Sequence, residues 1–172
     1  DIDSALFTNL SQDHLDFHGD MATYRAVKER LFRDVLTGSR RTKGQVSAVL
    51  NLDDTVGADI AGELEGISGV DVVGYTVEGG DGEVVARVTG RSLAETDIAL
   101  DWSNETIDVR TPLLGEFNVS NCAAAAAVGF ANGVSAESVR HGLAQAGRIP
   151  GRLERVEGAE TDGPAVLVDY AH

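Results

Sequence analysis

The residue that most invites a chemical reading is Lys28. Met21, Tyr24, Leu31 and Val35 recur at helical spacing and define one apolar stripe, and Lys28 falls inside it, between Tyr24 and Leu31. A lysine on such a face either snorkels its ammonium to water or is desolvated. In the second case the amine is held neutral and can act as a nucleophile or be modified. Spacing alone leaves both readings open. A second cluster lies upstream, where Asp13, His14, Asp16 and His18 fall within one short polar stretch. His14 and His18 are four apart, which suits a metal if the segment is helical. The neighbouring Gly19 and the polar content point instead to a solvated loop. The position favours a site, because the cluster follows a strand, where open α/β sheets place their ligands.

A third pair of residues is Asn118 and Asn121. They are three apart at the start of an alanine-rich helix, so both amides project from one side of its first turn. Amides carry donors and acceptors and can read the edge of a base; plain helix capping is the competing explanation. Asn51-Leu52-Asp53-Asp54 reads as a strand-to-helix turn and cap. Arg152 follows Pro150-Gly151 and reads as a surface residue, while Asp169 ends an apolar strand and should emerge at the ligand-binding edge of a sheet. The phosphate-cradling pattern Gly-x4-Gly-Lys-Ser/Thr is absent from these 172 residues, which on their own are expected not to turn over ATP.

The elements that must position these residues follow from periodicity. Short apolar runs at Ile2 to Thr8 and Val46 to Leu50 predict buried strands, and helices are expected from Asp20 to a stop at Gly38 and from Thr55 to Glu65. Then the period changes to 2. Val70 to Val77, Glu83 to Val88, Ile98 to Trp102 and Thr106 to Val109 read as strands of a small antiparallel sheet over about 70–110, turned at Gly79-Gly80-Asp81-Gly82 and Ser103-Asn104. Helices after Gly115 and Ser135, then strands near Leu153 to Val156 and Ala165 to Asp169, complete an α/β chain with a mainly parallel sheet.

Composition narrows the classes. The net charge is −14, and the longest basic run is Arg40-Arg41-Thr42-Lys43, so general nucleic-acid binding is not expected. The single cysteine, Cys122, cannot form an internal disulfide. No run of about 18 apolar residues encodes a membrane span, and Asp1-Ile2-Asp3 does not resemble a signal peptide. A reducing, cytoplasmic setting is the expectation. The chain opens inside an apolar run and closes soon after a strand-like segment, which reads as an internal portion of a longer chain.

Taken in order, several stretches resemble the Mur ligase family. They are Phe7-Thr8-Asn9-Leu10-Ser11-Gln12-Asp13-His14-Leu15-Asp16-Phe17-His18-Gly19, Tyr24-Arg25-Ala26-Val27-Lys28, Asn51-Leu52-Asp53-Asp54, Gly115-Glu116-Phe117-Asn118-Val119-Ser120-Asn121, Gly151-Arg152-Leu153-Glu154 and Val168-Asp169-Tyr170-Ala171-His172. The resemblance runs over nearly the whole chain and is to the branch that adds the third residue of the peptidoglycan stem peptide. It implies the later part of a central ATP-binding domain of P-loop type at 1–156. Residues 157–172 would form the junction and first strand of a C-terminal domain. It also implies an ATP-dependent amide ligase that joins a diamino acid, meso-diaminopimelate or lysine, to a UDP-N-acetylmuramoyl dipeptide through an acyl phosphate. By resemblance His14 contacts magnesium, Lys28 is carbamylated and serves the metal, and Asn118, Asn121, Arg152 and Asp169 serve ATP. A monomer is expected. Leu52 stands where the family commonly has Ala, and the P-loop and the flanking domains are not in this sequence. A folate- or cyanophycin-type ligase would share the histidine, lysine and asparagine motifs, with His18-Gly19 and the Asp-Tyr-Ala-His ending favouring the muramoyl branch. A metal-dependent hydrolase using His14, Asp16 and His18 would leave Lys28 and both asparagines unexplained, and a non-catalytic binding module is the remaining alternative.

Overall fold

The computed structural model describes residues 1–11, 20–77, 79–147, 150–156 and 166–170, with the backbone alone at 154 and 155. Its apolar runs become three parallel strands, β1 (Ser4–Phe7), β2 (Val46–Asn51) and β3 (Val70–Thr76). β2 is central to them, with Ser47 opposite both Ser4 and Asp71. All of β2 is buried, as a parallel strand covered on both faces must be. β4 (Val84–Arg91) pairs in parallel with the end of β3, Tyr75 opposite Val84 and Thr76 opposite Val85. β5 (Thr96–Trp102) and β6 (Glu105–Thr111) then fold back antiparallel. Their hairpin turns at Ser103 and Asn104, whose φ values of 52° and 67° suit a two-residue primed turn.

The period-2 region is therefore not a separate sheet. β1 to β6 form one mixed sheet in sequence order, with the antiparallel strands continuing the parallel ones. Alternation reports which faces are buried, not which strand lies alongside, so the join was invisible in the pattern. Glu83 reinforces it by accepting the Gly74 N–H at 2.6 Å.

Helices cover both faces. On one face lie α1 (Met21–Arg30), a π-helical segment (Leu31–Leu36), α2 (Thr37–Lys43) and α3 (Thr55–Leu64). Phe32, Leu36, Ile60 and Leu64 pack there with Phe7, Ala48 and Leu50. On the other face α4 (Glu116–Ala131) lays Ala123, Ala124, Ala126 and Ala127, all at most 2% exposed, against Val49, Val73 and Tyr75. Trp102 stacks on Phe130 at 4.9 Å between ring centroids, and α5 (Ala136–Ala144) adds Val139 and Leu143 to that core. The last two strands are short: β7 (Glu154–Arg155) pairs antiparallel with β8 (Leu167–Val168).

Two expectations about the first helix are overturned. It does not stop at Gly38 but runs on to Lys43, where Gly44 at φ 81° ends it. Leu36 and Ser39 are both buried, so packing across Gly38 outweighs the glycine's low helix propensity. The inward face is also different. Glu29, Phe32, Leu36 and Ser39 point inward, whereas Leu31 and Val35 are 38% and 47% exposed. The inward positions carry only two apolar side chains, Phe32 and Leu36, beside Glu29 and Ser39, so counting apolar residues at helical spacing selects the other face.

Candidate functional site

The carboxyl ends of β1, β2 and β3 are wired together by the Asn51-Leu52-Asp53-Asp54 turn. Asn51 donates its Nδ2 to Thr8 O at 2.7 Å and accepts from Asp53 N at 3.0 Å. The Asp53 carboxylate accepts from Val77 N at 2.7 Å and from the Thr76 hydroxyl. Asp54 caps α3 through Val56 N and Gly57 N, and its other oxygen accepts from Leu10 N at 2.9 Å. The turn-and-cap reading of this segment is the one its geometry carries, and it builds the floor of the edge rather than a ligand contact.

Beside that floor begins α4. Gly115, at φ 92°, precedes it without a side-chain cap, and within the first turn Asn118 N donates to Gly115 O at 3.1 Å. Asn118 and Asn121 do share a side of the helix, but their roles separate. Asn118 is 2% exposed; its Nδ2 donates to Leu114 O at 2.8 Å, and its Oδ1 accepts from Asn121 Nδ2 at 3.2 Å. Asn121 is exposed. The buried amide thus orients the exposed one, and only Asn121 presents an amide to solvent. Spacing could not separate them, because neighbouring positions on one turn differ in depth only once the sheet is in place.

The turn at Gly151-Arg152-Leu153 closes onto the same helix start. A Cβ on Gly115 would lie 2.6 Å from Leu153 Cδ1, and one on Gly151, whose φ is 70°, would lie 2.1 Å from the Tyr170 ring. Tyr170 N donates to Gly151 O at 2.8 Å. Arg152 and Asp169 are both exposed there, Asp169 standing between the paired Val168 and Tyr170. Asn121, Arg152 and Asp169 are thereby carried by elements that meet at the start of α4. Two residues quoted within those stretches received no role of their own: Phe117, 43% exposed, and Tyr170, 69% exposed. The available signal for Phe117 was its position one turn before Asn121 on the same face. Phe117 borders Gly115 and Tyr170 borders Gly151, so both rings belong to the elements that carry the polar groups and have exposed surface for stacking.

Lys28 stands apart from that constellation. It is partly buried on α1, not on the inward stripe, and its Nζ lies 5.4 Å from the Tyr24 ring centroid. Of the two readings that spacing left open, the partly buried position is not that of a lysine sealed in the core. The buried residue of α1 is its neighbour Glu29, 5% exposed and bonded to Arg25 and Arg33. The Arg33 guanidinium also holds the Glu63 carboxyl below its ordinary range by hydrogen bonding. His14, Asp16 and His18 lie outside the described residues. Of the core groups, burial pushes the Tyr75 phenol up to about 12 and the Cys122 thiol up to about 11, so both stay protonated at neutral pH.

Comparison with known proteins bears on this arrangement. The Mur ligase middle domain matches residues 1–129. A UDP-N-acetylmuramoyl-L-alanyl-D-glutamate--2,6-diaminopimelate ligase of Geobacter metallireducens is 38% identical over 181 residues, covering 99% of this chain and 32% of its own length. The ligase of the same name from Bacillus velezensis is 37% identical over 172 residues, covering 100% and 34%. Among solved structures, a UDP-N-acetylmuramoyl-L-alanyl-D-glutamate--2,6-diaminopimelate ligase superposes with a TM-score of 0.76 at 26% identity, over 92% of this chain and 31% of the other. MurF from Acinetobacter baumannii gives 0.74 at 27% identity, over 91% and 32%. The chain spans about a third of the length of the curated relatives it matches. With the family's middle domain matched over most of its length and full-chain relatives above 30% identity, this chain belongs to the Mur ligase family.

Proposed function

We propose that the protein carrying this chain is an ATP-dependent amide ligase of peptidoglycan precursor synthesis. It acts on UDP-N-acetylmuramoyl-L-alanyl-D-glutamate and adds a diamino acid, diaminopimelate rather than lysine, in line with the names of its full-chain relatives. The observation that carries the reading is the exposed Asn121 amide, held by buried Asn118 on a helix start without a side-chain cap. Asn121 reads the base edge, Phe117 and Tyr170 offer faces to it, and Arg152 and Asp169 complete the nucleotide site. Asn118 serves the nucleotide through Asn121.

In the reaction, a carboxylate oxygen of the dipeptide attacks the γ-phosphorus of ATP and ADP leaves. The amine of the diamino acid then attacks the acyl phosphate carbon, and inorganic phosphate leaves as the amine loses a proton. The protein contributes positioning and charge neutralisation. An ammonium on Lys28 cannot ligate a cation, so magnesium fits only if the neutral amine attacks carbon dioxide, loses a proton and becomes a carbamate with two hard oxygens. Lys28 and His14 would hold the ion, which when bound offsets phosphate charge. Residues through 156 are the later part of the ATP-binding domain, and 157–172 lead into the next. A cytoplasmic monomer accords with the substrates; among the described residues no helix is long and apolar enough to cross a membrane.

The test is nucleotide affinity. In the full-length protein, Asn121→Ala is expected to weaken ATP binding by about 1–3 kcal/mol, the cost of leaving a buried partner unpaired. Calorimetry reads it directly, and an unchanged affinity reduces Asn121 to a part of the helix start.

A further inference from the structure

Helix α1 carries Lys28 yet docks on almost no apolar surface. The buried side chain of Met21–Arg30 is that of Glu29, and Val27 on its flank is 48% exposed. Most surface helices take their rotation from an apolar stripe pressed into the core. Phe32 and Leu36 anchor the continuing helix downstream, and within Met21–Arg30 that function falls to charge. Arg25 Nε donates to Glu29 Oε1 at 2.6 Å, and Arg33 Nη1 donates to Oε2 at 2.8 Å, so both oxygens of the buried carboxylate are engaged. The same guanidiniums reach across to α3. Arg25 Nη2 meets Asp59 at 2.8 Å, and Arg33 grips Glu63 through Nε at 2.7 Å and Nη2 at 2.6 Å. The charges alternate in sign along the line Asp59, Arg25, Glu29, Arg33, Glu63, and the line crosses the junction between α1 and the π segment. An isolated surface pair holds little. This network differs because its central carboxylate is buried and one of its arginines binds a carboxylate in fork geometry.

We infer that this charge latch, centred on Glu29, positions Lys28: it sets the rotation of α1 and with it where the lysine amine and its carbamate stand. Glu29 is a positioning residue, since it acts through its neighbour and not on substrate. The inference rests on the reading of Lys28 as the carbamate acceptor. It predicts that loosening the latch frees α1 locally while the sheet and α3 stay intact, and that carbon dioxide then binds Lys28 less well because the product loses its fixed surroundings.

The experiment uses the full-length protein and two measurements on Glu29→Gln: amide hydrogen exchange, and carbamate signal by carbon NMR as labelled bicarbonate is titrated. Exchange across 21–30 is expected to accelerate about tenfold, with 46–51 unchanged, and the half-saturating bicarbonate to rise about tenfold. Asp59→Asn, an exposed change on α3 that removes the outer anchor of Arg25, gives a smaller shift in the same direction and serves if Glu29→Gln folds poorly. Glu137→Gln breaks a comparable exposed bridge to Arg140 on α5 and should move neither reading. Unchanged exchange over 21–30 in both latch variants overturns the latch. Faster exchange with an unaltered bicarbonate response overturns its claim on Lys28. A wild-type protein without carbamate at any bicarbonate concentration overturns the Lys28 reading itself, and is distinguished because it appears before any substitution.

Discussion

Lys28→Ala in the full-length protein is expected to lower kcat/KM for ligation by about a thousandfold or more while leaving α1 folded. Alanine is the best helix former, and the side chain removed is only partly buried, so the structural loss is confined to the contact with the Tyr24 ring, worth about 0.5–1 kcal/mol. On the proposed carbamate reading the functional loss would be far larger, because removing the amine removes the acceptor of the ligand oxygens. Short carboxylates such as acetate or formate should restore part of the activity by filling the vacated ligand position. Lys28→Arg should not, since a guanidinium stays protonated and cannot take up carbon dioxide as a neutral amine does. Activity of both variants in parallel, with circular dichroism as the check on folding, decides the matter. Near-wild-type turnover by folded Lys28→Arg would reduce Lys28 to a simple positive charge.

The largest stability effect is expected at Gly57. A Cβ there would lie 2.0 Å from the carbonyl oxygen of Asn51 and 3.2 Å from Phe7 Cδ1, so the first turn of α3 rests directly on the end of β2. No rotamer change relieves a clash with backbone. Gly57→Ala should therefore destabilise by about 3 kcal/mol or more, the upper end of overpacking costs. That is about 6–12 °C in melting temperature for a chain of this size. Gly62, in the same helix, has nothing within 4 Å of where its Cβ would be. Gly62→Ala should stabilise by about 0.5–1 kcal/mol through the reduced freedom of the unfolded chain. Urea unfolding of the two variants side by side checks both signs, and equal midpoints would show that Asn51 moves aside without penalty.

Much of the framework was legible before any coordinates. The β-branched run at Val46 to Leu50, the cap at Asp54 and the start of the alanine-rich helix each combine an apolar pattern with a specific boundary residue, and each stands where its pattern put it. The inward face of the first helix was not legible. Met21, Tyr24, Leu31 and Val35 form the longer apolar stripe, yet the inward face is the one with Phe32, Leu36 and two polar residues, Glu29 and Ser39. The division of labour between Asn118 and Asn121 was hidden for a related reason, since identical side chains differ only in depth. Exposed Phe117 and Tyr170 look in sequence like any other core aromatics. His14 was named from the sequence alone and lies outside the described residues.

The turn that ties the three parallel strands also bears on how the fold is reached and lost. Its bonds join residues far apart in the chain: Asn51 to Thr8 across 43 positions, Asp54 to Leu10 across 44, and Asp53 to Val77 across 24. The first two need β1 beside β2 and the third needs β3 beside β2, so each must wait for the closure of a long loop. We expect bonds that depend on such closures to be weaker in the folding transition state than in the native one. Weakening them should then raise the unfolding rate more than it slows folding, making this edge a brake on escape from the native state.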